Sequence, residues 1–300
     1  MRKRIKPIVV YVVLALLGLA LVIANIHNTS KQQTHLQNVK SAIPSATKPK
    51  TTTSSTSSSS DEELILNPII DLSGWQLPQD IDYDVLSNHI SGAIIRVFGG
   101  SQISKDSNAA SSNGVDKSFK THIKELKKRD VPVAVYSYAQ GTSVKEMKEE
   151  ARIFYKNASP YKPTYYWIDV EEETMSNMEE GVQAFLAELK RLGAEKVGLY
   201  IGAYFMLEQE VSTKNFDAVW IPAYGTDSGY YEALPNTEID YDLHQYTSQG
   251  NLPGFNNILD LNQINPEKNK RKTFEKLFGK IKQKPTKNKK TTSTNSSSSD

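Results

Sequence analysis

Eight short runs of apolar, β-branched and aromatic residues recur between residues 67 and 261, and their spacing constrains the fold more than any other feature. They lie at 67–72 (NPIIDL), 92–98 (GAIIRVF), 132–138 (PVAVYSY), 164–170 (TYYWIDV), 196–201 (KVGLYI), 217–222 (DAVWIP), 241–246 (YDLHQY) and 256–261 (NNILDL). Several are almost continuously apolar, the pattern of strands covered on both faces. Helix patterns fall between the earlier runs, at 116–129, 144–157 and 177–193. In the third, Val182, Phe185, Leu186 and Leu189 sit at helical spacing and Gly193 supplies the stop. Strands alternating with helical crossovers predict an α/β fold. The reading is a TIM-like, flattened (β/α)-barrel with shortened helices in its second half. An open doubly wound sheet is the alternative. No G-x-G-x-x-G or G-x-x-x-x-G-K-[ST] turn occurs that would cradle a phosphate.

Charge separates this body from its flanks. Residues 61–265 carry a net −14, whereas the first 60 and the last 35 carry +8 each, leaving the chain at +2. An acidic body between basic flanks argues against a nucleic-acid-binding domain, which concentrates cations on its folded surface. There is no cysteine, which excludes a disulfide scaffold, a thiolate metal site and a cysteine nucleophile. The five histidines show neither H-x-H nor H-E-x-x-H spacing, and no cofactor is expected. His244 reads as a packed, hydrogen-bonded strand residue.

The ends read differently from the body. Arg2, Lys3, Arg4 and Lys6 precede an uncharged stretch whose apolar part, 8–26, is 19 residues long. That approaches the ~20 residues of a membrane-spanning helix, with the positive flank on the cytoplasmic side. A cleaved signal peptide is the rival, but its apolar region is usually ~7–15 residues, and Ala24-Asn25-Ile26 makes a poor cleavage site. The expected organisation is therefore a basic end and transmembrane anchor at 1–27, then a disordered Ser/Thr/Lys-rich linker at 28–66. A catalytic barrel follows at 67–283 and a disordered basic, Ser-rich tail at 284–300. Phe274, Leu277, Phe278 and Ile281 repeat at helical spacing and predict a last helix packed on the barrel, with a basic amphipathic helix that meets anionic wall polymer or lipid as the alternative. The lysines of 282–290 are expected to attract anionic wall polymers.

In a barrel of this kind the site lies at the C-terminal ends of the strands. Strand one ends in Asp71, strand four in Asp169 and Glu171, and strand eight in Asp260, within Leu259-Asp260-Leu261-Asn262. Tyr136 and Tyr138, Trp220 and Tyr224, and Gln245 and Tyr246 end others. Arg96 ends strand two, where it either orients a carboxylate or forms a structural ion pair. Trp75 is either a sugar platform or core. Aromatic rings stack on sugar faces, and paired carboxyls supply the acid and the charge stabilisation of glycosidic cleavage. Asp169 and Glu171 are two apart on a strand and so leave the same face. Two carboxyls so close titrate as a pair, one keeping its proton to higher pH.

Taken in order, Asp71-Leu72-Ser73-x-x-Gln76, Asp116-x-x-Phe119, the run from Pro132 through Tyr138, Asp169-Val170-Glu171, Gln245-Tyr246-Thr247-Ser248, Gly250, Pro253-Gly254 and Asp260-Leu261-Asn262 resemble the glycoside hydrolase family 25 lysozymes. The resemblance spans roughly residues 67–265. It implies a flattened barrel and β-1,4-N-acetylmuramidase activity on peptidoglycan. Glu171 would be the proton donor and Asp169 would stand beside the reacting sugar, with Asp71 and Asp260 lining the cleft. The chain departs from the family in two places. Tyr136-Ser137-Tyr138 stands where Tyr-His-Phe is frequent, and His244 where a Trp often precedes Gln-Tyr. A chitinase-like D-x-x-D-x-D-x-E is excluded, because Trp167 occupies the position two before Asp169. The expectation is a single-pass membrane protein whose extracellular barrel hydrolyses peptidoglycan strands and has no nucleic-acid partner. A catalytically silent wall-binding module, a phage lysin of the same activity, and secretion are the alternatives.

Overall fold

All eight runs form strands: β1 (Ile69–Leu72), β2 (Gly92–Phe98), β3 (Val133–Tyr138), β4 (Tyr166–Val170), β5 (Val197–Ile201), β6 (Ala218–Pro222), β7 (Leu243–Gly250) and β8 (Leu259–Ile264). This is a computed structural model that describes residues 64–280. The expected anchor at 8–26, most of the linker and the tail from 281 lie outside those residues. Among the described residues no helix is long and apolar enough to cross a membrane.

The strands close into an eight-membered barrel in sequence order. β1 to β7 are parallel neighbours, whereas β8 is antiparallel to both β7 and β1. The reversal corrects the expectation that Asp260 closes a parallel strand eight. Only residues 251–258 separate β7 from β8. A parallel return needs a dozen or more residues, so a loop of that length allows only a hairpin. Asp260 is consequently the second residue of β8, and its strand runs down from the rim to which β1 climbs. The pairing sets Asp260 directly opposite Asp71.

The helices are α1 (Tyr83–Leu86), α2 (Phe119–Lys128), α3 (Val144–Ala158), α4 (Met178–Leu192), α5 (Ala203–Glu208) and α6 (Lys270–Phe278). Side-chain caps start several of them. Ser143 accepts from the Glu146 N–H ahead of α3, Asn177 from the Glu180 N–H ahead of α4, and Asn269 from the Lys272 N–H ahead of α6. The sequence pattern starts the second of these helices at residue 116, but Asp116 stands before it, its Oδ1 accepting from the N–H groups of Ser118 and Phe119. The shortening in the second half is real: after β5 comes only six-residue α5, and no helix joins β6 to β7 or β7 to β8.

Strand alternation sorts two cores. Outward residues such as Ile70, Ile95, Val135, Ile168 and Leu199 pack on Phe119, Phe154, Phe185 and Leu189 of the helices. Inward Ile69, Ile94, Ala134, Trp167, Trp220, Leu243 and Ile264 fill the lower barrel. Phe274, Leu277 and Phe278 of α6 join that inner cluster. Phe278 lies so close to Gly92, the first residue of β2, that a Cβ there would stand 3.0 Å from its ring. The last helix therefore stoppers the N-terminal mouth of the barrel, its apolar stripe spent on packing. With the base plugged by apolar groups, polar inward residues collect at the opposite rim.

Candidate active site

The rim holds a cavity of about 120 Å3 whose walls are largely polar. Asp71, Asp169, Glu171 and Asp260 supply its carboxyls, and Tyr136, Tyr224, Trp220 and Gln245 complete the residues expected from the sequence. Tyr200 also lines it and was missed. Tyr200 is the inward residue two after Gly198 on β5, and that alternation was the available signal.

Asp71 is buried and held from both sides. Its Oδ2 accepts from Gln245 Nε2 at 2.9 Å and from Asn262 Nδ2 at 2.8 Å. Gln245 is fixed in turn, its Oε1 accepting from the hydroxyls of Tyr200 at 2.8 Å and Tyr224 at 2.7 Å. Two tyrosines thus orient one amide, and the amide orients one carboxyl. Asn262, also absent from the expected site, sits two residues along β8 from Asp260 and faces the same interior.

Burial lifts the Asp71 carboxyl well above the ordinary range, and the charge of Asp260 lifts it further, against the hydrogen bonds of Asn262 and Gln245. Asp260 is pushed up to about 6, mainly by loss of water, with a hydrogen bond from Asp71 opposing and the charges of Asp227 and Glu171 adding to the rise. On β4, Asp169 is buried, and that burial, then the neighbouring Glu171 charge, raises it well above its usual value. Glu171 stands at the mouth with its side chain open to solvent, yet the walls still strip enough water to raise it. Its hydrogen bond with Asp169 works against that rise, and Glu172 adds to it. The β4 pair shares one proton above the ordinary carboxylate range. Asp169 Oδ1 is buried and has no hydrogen-bond partner.

These raised values carry a stability consequence. An unfolded Asp titrates near ~3.9, so a folded value of about 6 means the native chain holds the extra proton. The stability linked to Asp260 is complete below pH ~4 and is lost as pH rises through 6. Asp260→Asn, neutral at every pH, is expected to raise stability by about 2 kcal/mol at pH 7 and by little at pH 4. Urea unfolding at the two pH values measures this, and an equal gain at both would remove titration as its cause.

Three expected substrate contacts lie elsewhere. Tyr138 is half-buried at the end of β3 and hydrogen-bonds Glu172 instead of lining the cavity. Tyr246 falls on the outer face of β7, edge-on to Tyr231 at 5.8 Å and His244 at 6.3 Å, because it alternates with inward Gln245. Arg96 points inward, but its Nε donates to Asp116 Oδ2 at 3.1 Å, the structural ion pair. The same oxygen accepts from the Gly74 N–H at 2.6 Å, so Asp116 ties the loop after β1 to β2 and to the start of α2. Arg96 still reaches the site through space, its charge drawing Asp169 part of the way down.

Trp75, at 65% exposure on the loop after β1, is not core. His244 is packed as expected, its ring Nε2 2.7 Å from the Ala223 carbonyl. Asp227, which the sequence did not single out, pins the long loop between β6 and β7: its carboxylate accepts from the Thr247 and Ser248 hydroxyls and the Ser248 N–H. Among the described residues no group of three or more His, Cys, Asp or Glu is placed to hold a metal ion.

The sequence profile of the Glycosyl hydrolases family 25 matches residues 70–255. Among solved structures, a glycosyl hydrolase 25 of Streptococcus pneumoniae participating in host cell invasion is 56% identical, with a TM-score of 0.70 over 72% of this chain and 94% of that one. The catalytic domain of the endolysin ply40, from bacteriophage P40 of Listeria monocytogenes, is 27% identical at a TM-score of 0.60, covering 72% and 98%. A lysozyme from Streptomyces coelicolor shares the fold at 15% identity and a TM-score of 0.54, covering 72% and 98%. No curated protein matches the chain.

Proposed function

The chain belongs to glycosyl hydrolases family 25 and is a glycoside hydrolase of the muramidase type; we propose that it cuts the β-1,4 bond between N-acetylmuramic acid and N-acetylglucosamine in peptidoglycan, working from a membrane tether. One observation carries the mechanism. The open carboxyl of Glu171 and the buried carboxyl of Asp169 leave β4 side by side, opposite the Asp71–Asp260 pair, in a cavity walled by Tyr136, Tyr200, Tyr224 and Trp220. Glu171 faces the mouth; the proton the pair shares passes along their hydrogen bond from Asp169 to Glu171, which donates it to the leaving glycosidic oxygen. Asp169 then keeps a negative charge beside the anomeric carbon as positive charge develops there. Its carboxyl, which lines the cavity, would meet that carbon or orient the sugar's 2-acetamido group. Asp71 and Asp260 wall the cleft, and the tyrosine rings give it apolar faces for sugar rings.

Release of new muramic-acid reducing ends from purified peptidoglycan, identified by mass spectrometry, tests this reading. Intact glycan strands with retained binding would leave a silent wall-binding module.

The tether is the second half of the proposal. It rests on the cations before 8–26 and on the length of that apolar run. Residues 64–67 lead into β1 from the N-terminal end of the barrel, whereas the cleft opens at the C-terminal end. The linker therefore joins the barrel at the end opposite the cleft. A coil of about 40 residues has a root-mean-square reach of about 35 Å, which favours the membrane-proximal wall. Fractionation and N-terminal sequencing should recover the intact N-terminus in membranes. A mature chain beginning near Ile26 in the medium would replace the tether with secretion.

A further inference from the structure

We propose that the base of the barrel is a docking surface for anionic phospholipid headgroups, formed by the cationic face of α6 and the apolar residues 64–66 beside it. The inference rests on the tether reading above.

The charge on α6 is unpaired where it matters. Lys270, Arg271, Lys272 and Lys280 are exposed, and none has an acidic partner among the described residues. Lys268 and Lys276 on the same segment behave differently, reaching Asp242 at 3.2 and 2.9 Å. Three consecutive cations in one turn repel each other, and the flanking Glu267 and Glu275 form no ion pair with them. The apolar stripe of the helix is already buried in the barrel mouth, so what it presents outward is charge. This is headgroup contact, not an amphipathic helix lying in the acyl layer.

The second observation is apolar. Ile65 is 86% exposed between half-buried Leu64 and Leu66, and it stands where the linker joins the domain. Residues 64–66 border a groove of about 810 Å3 that also touches Phe278 and Lys280. The apolar segment, Phe274 and Phe278 of α6 and Lys280 just beyond it thus line one groove, at the point where the chain arrives from its expected anchor, and Lys270, Arg271 and Lys272 stand at the other end of the same helix.

The third is polarity across the molecule. Glu171, Glu172 and Glu173 are exposed at the far rim. An anionic bilayer attracts the base and repels the rim, so one field both docks and orients the barrel. That choice of orientation favours a lipid surface over a soluble wall polymer, which would bind without a preferred direction.

The test uses the full chain reconstituted in vesicles of phosphatidylcholine, alone or with one third phosphatidylglycerol, each carrying a headgroup quencher. The chain has no cysteine, so His89→Cys, exposed on the loop before β2, and Ile258→Cys, exposed on the cleft rim, give single dye positions. The expected result is strong quenching at His89→Cys in the phosphatidylglycerol vesicles only, with Ile258→Cys unquenched. Quenching should vanish at about 0.5 M salt. It should also vanish in the triple variant K270E/R271E/K272E, which keeps full hydrolysis of soluble glycan. A chain that floats with both vesicle types without position-dependent quenching overturns the docking and leaves the tether. Flotation with phosphatidylglycerol vesicles alone keeps the docking and discards the anchor. Flotation with neither discards both. If quenching is absent while the triple variant loses retention on teichoic-acid-bearing walls, the surface belongs to wall polymer and the lipid proposal falls.

Discussion

Glu171→Gln is expected to slow peptidoglycan hydrolysis by roughly 10²–10⁴-fold while leaving the fold and glycan binding intact. Of the four clustered carboxyls, Asp71 and Asp169 are buried and Asp260 is partly covered, so only Glu171 reaches out to a glycosidic oxygen. Loss of water around it favours its neutral, proton-carrying form, opposed by the hydrogen bond with Asp169 and helped by the charge of Glu172. Glutamine keeps the size and a hydrogen bond to Asp169 but has no proton to transfer. The pH dependence separates this role from a structural one. The wild-type rate should fall as pH rises through the raised range of the β4 pair, because the shared proton is then lost. The residual rate of the variant should lack that descending limb. Fragment binding measured by calorimetry should be close to wild type. Near-normal turnover would move the acid elsewhere, with Asp71 next.

The strands were legible because a closed α/β barrel buries both faces of its sheet, so each strand declares itself as an apolar run without needing alternation. Direction was less visible. The reversal of β8 depends on a loop of residues 251–258 being too short to cross over, and the nine residues between the runs 241–246 and 256–261 already carried that limit. The short helices α1 and α5, of four and six residues, carry too few turns to show a period.

The site was readable to the extent that its residues sit at strand ends with inward parity. Asp71, Asp169 and Glu171 satisfy both conditions, and so do Tyr136 and Gln245. Tyr246 fails on parity alone, being one residue from Gln245 and therefore on the other face. Arg96 has the parity, but Asp116 claims its guanidinium from a loop 20 residues away, a pairing no local pattern reveals. Tyr200 has the parity as well, yet its value lies in its bond to Gln245, 45 residues on. Local sequence placed the carboxyls. The hydrogen-bond chain that holds Asp71 in position is a product of closure.

Gly198→Val is expected to destabilise the barrel by about 3 kcal/mol or more, lowering Tm by roughly 6–12 °C, and to damage the cleft as well. Gly198 lies in β5, level with Trp167 of β4, and its backbone is in the ordinary strand region. A glycine inside a strand weakens it by about 0.5–1 kcal/mol relative to alanine, so its presence there needs a cause. The cause is close approach. A Cβ at this position would lie 2.3 Å from Trp167 Cζ3 and 2.4 Å from Cε3, far inside contact distance. The indole has nowhere to go. It stacks on Tyr165 at 5.0 Å and meets Trp220 edge-on at 5.6 Å, and all three rings are buried. Trp220 in turn packs at 4.5 Å against Tyr200, whose hydroxyl holds Gln245. A displaced Trp167 is thus expected to propagate through Trp220 and Tyr200 to the amide that positions Asp71. Gly92→Ala makes the contrast, because its nearest neighbours at 3.0 Å belong to Phe278 at the barrel base, far from the cleft. That variant should lose stability with little change in kcat. Thermal unfolding and kinetics on both variants separate the cases. Trimming Trp167 to leucine in the Gly198→Val background should recover part of the loss, since the two changes share one contact. A Gly198→Val protein that melts and turns over like wild type would show that the indole can yield, and would cut the link between barrel packing and the Asp71 hydrogen-bond chain.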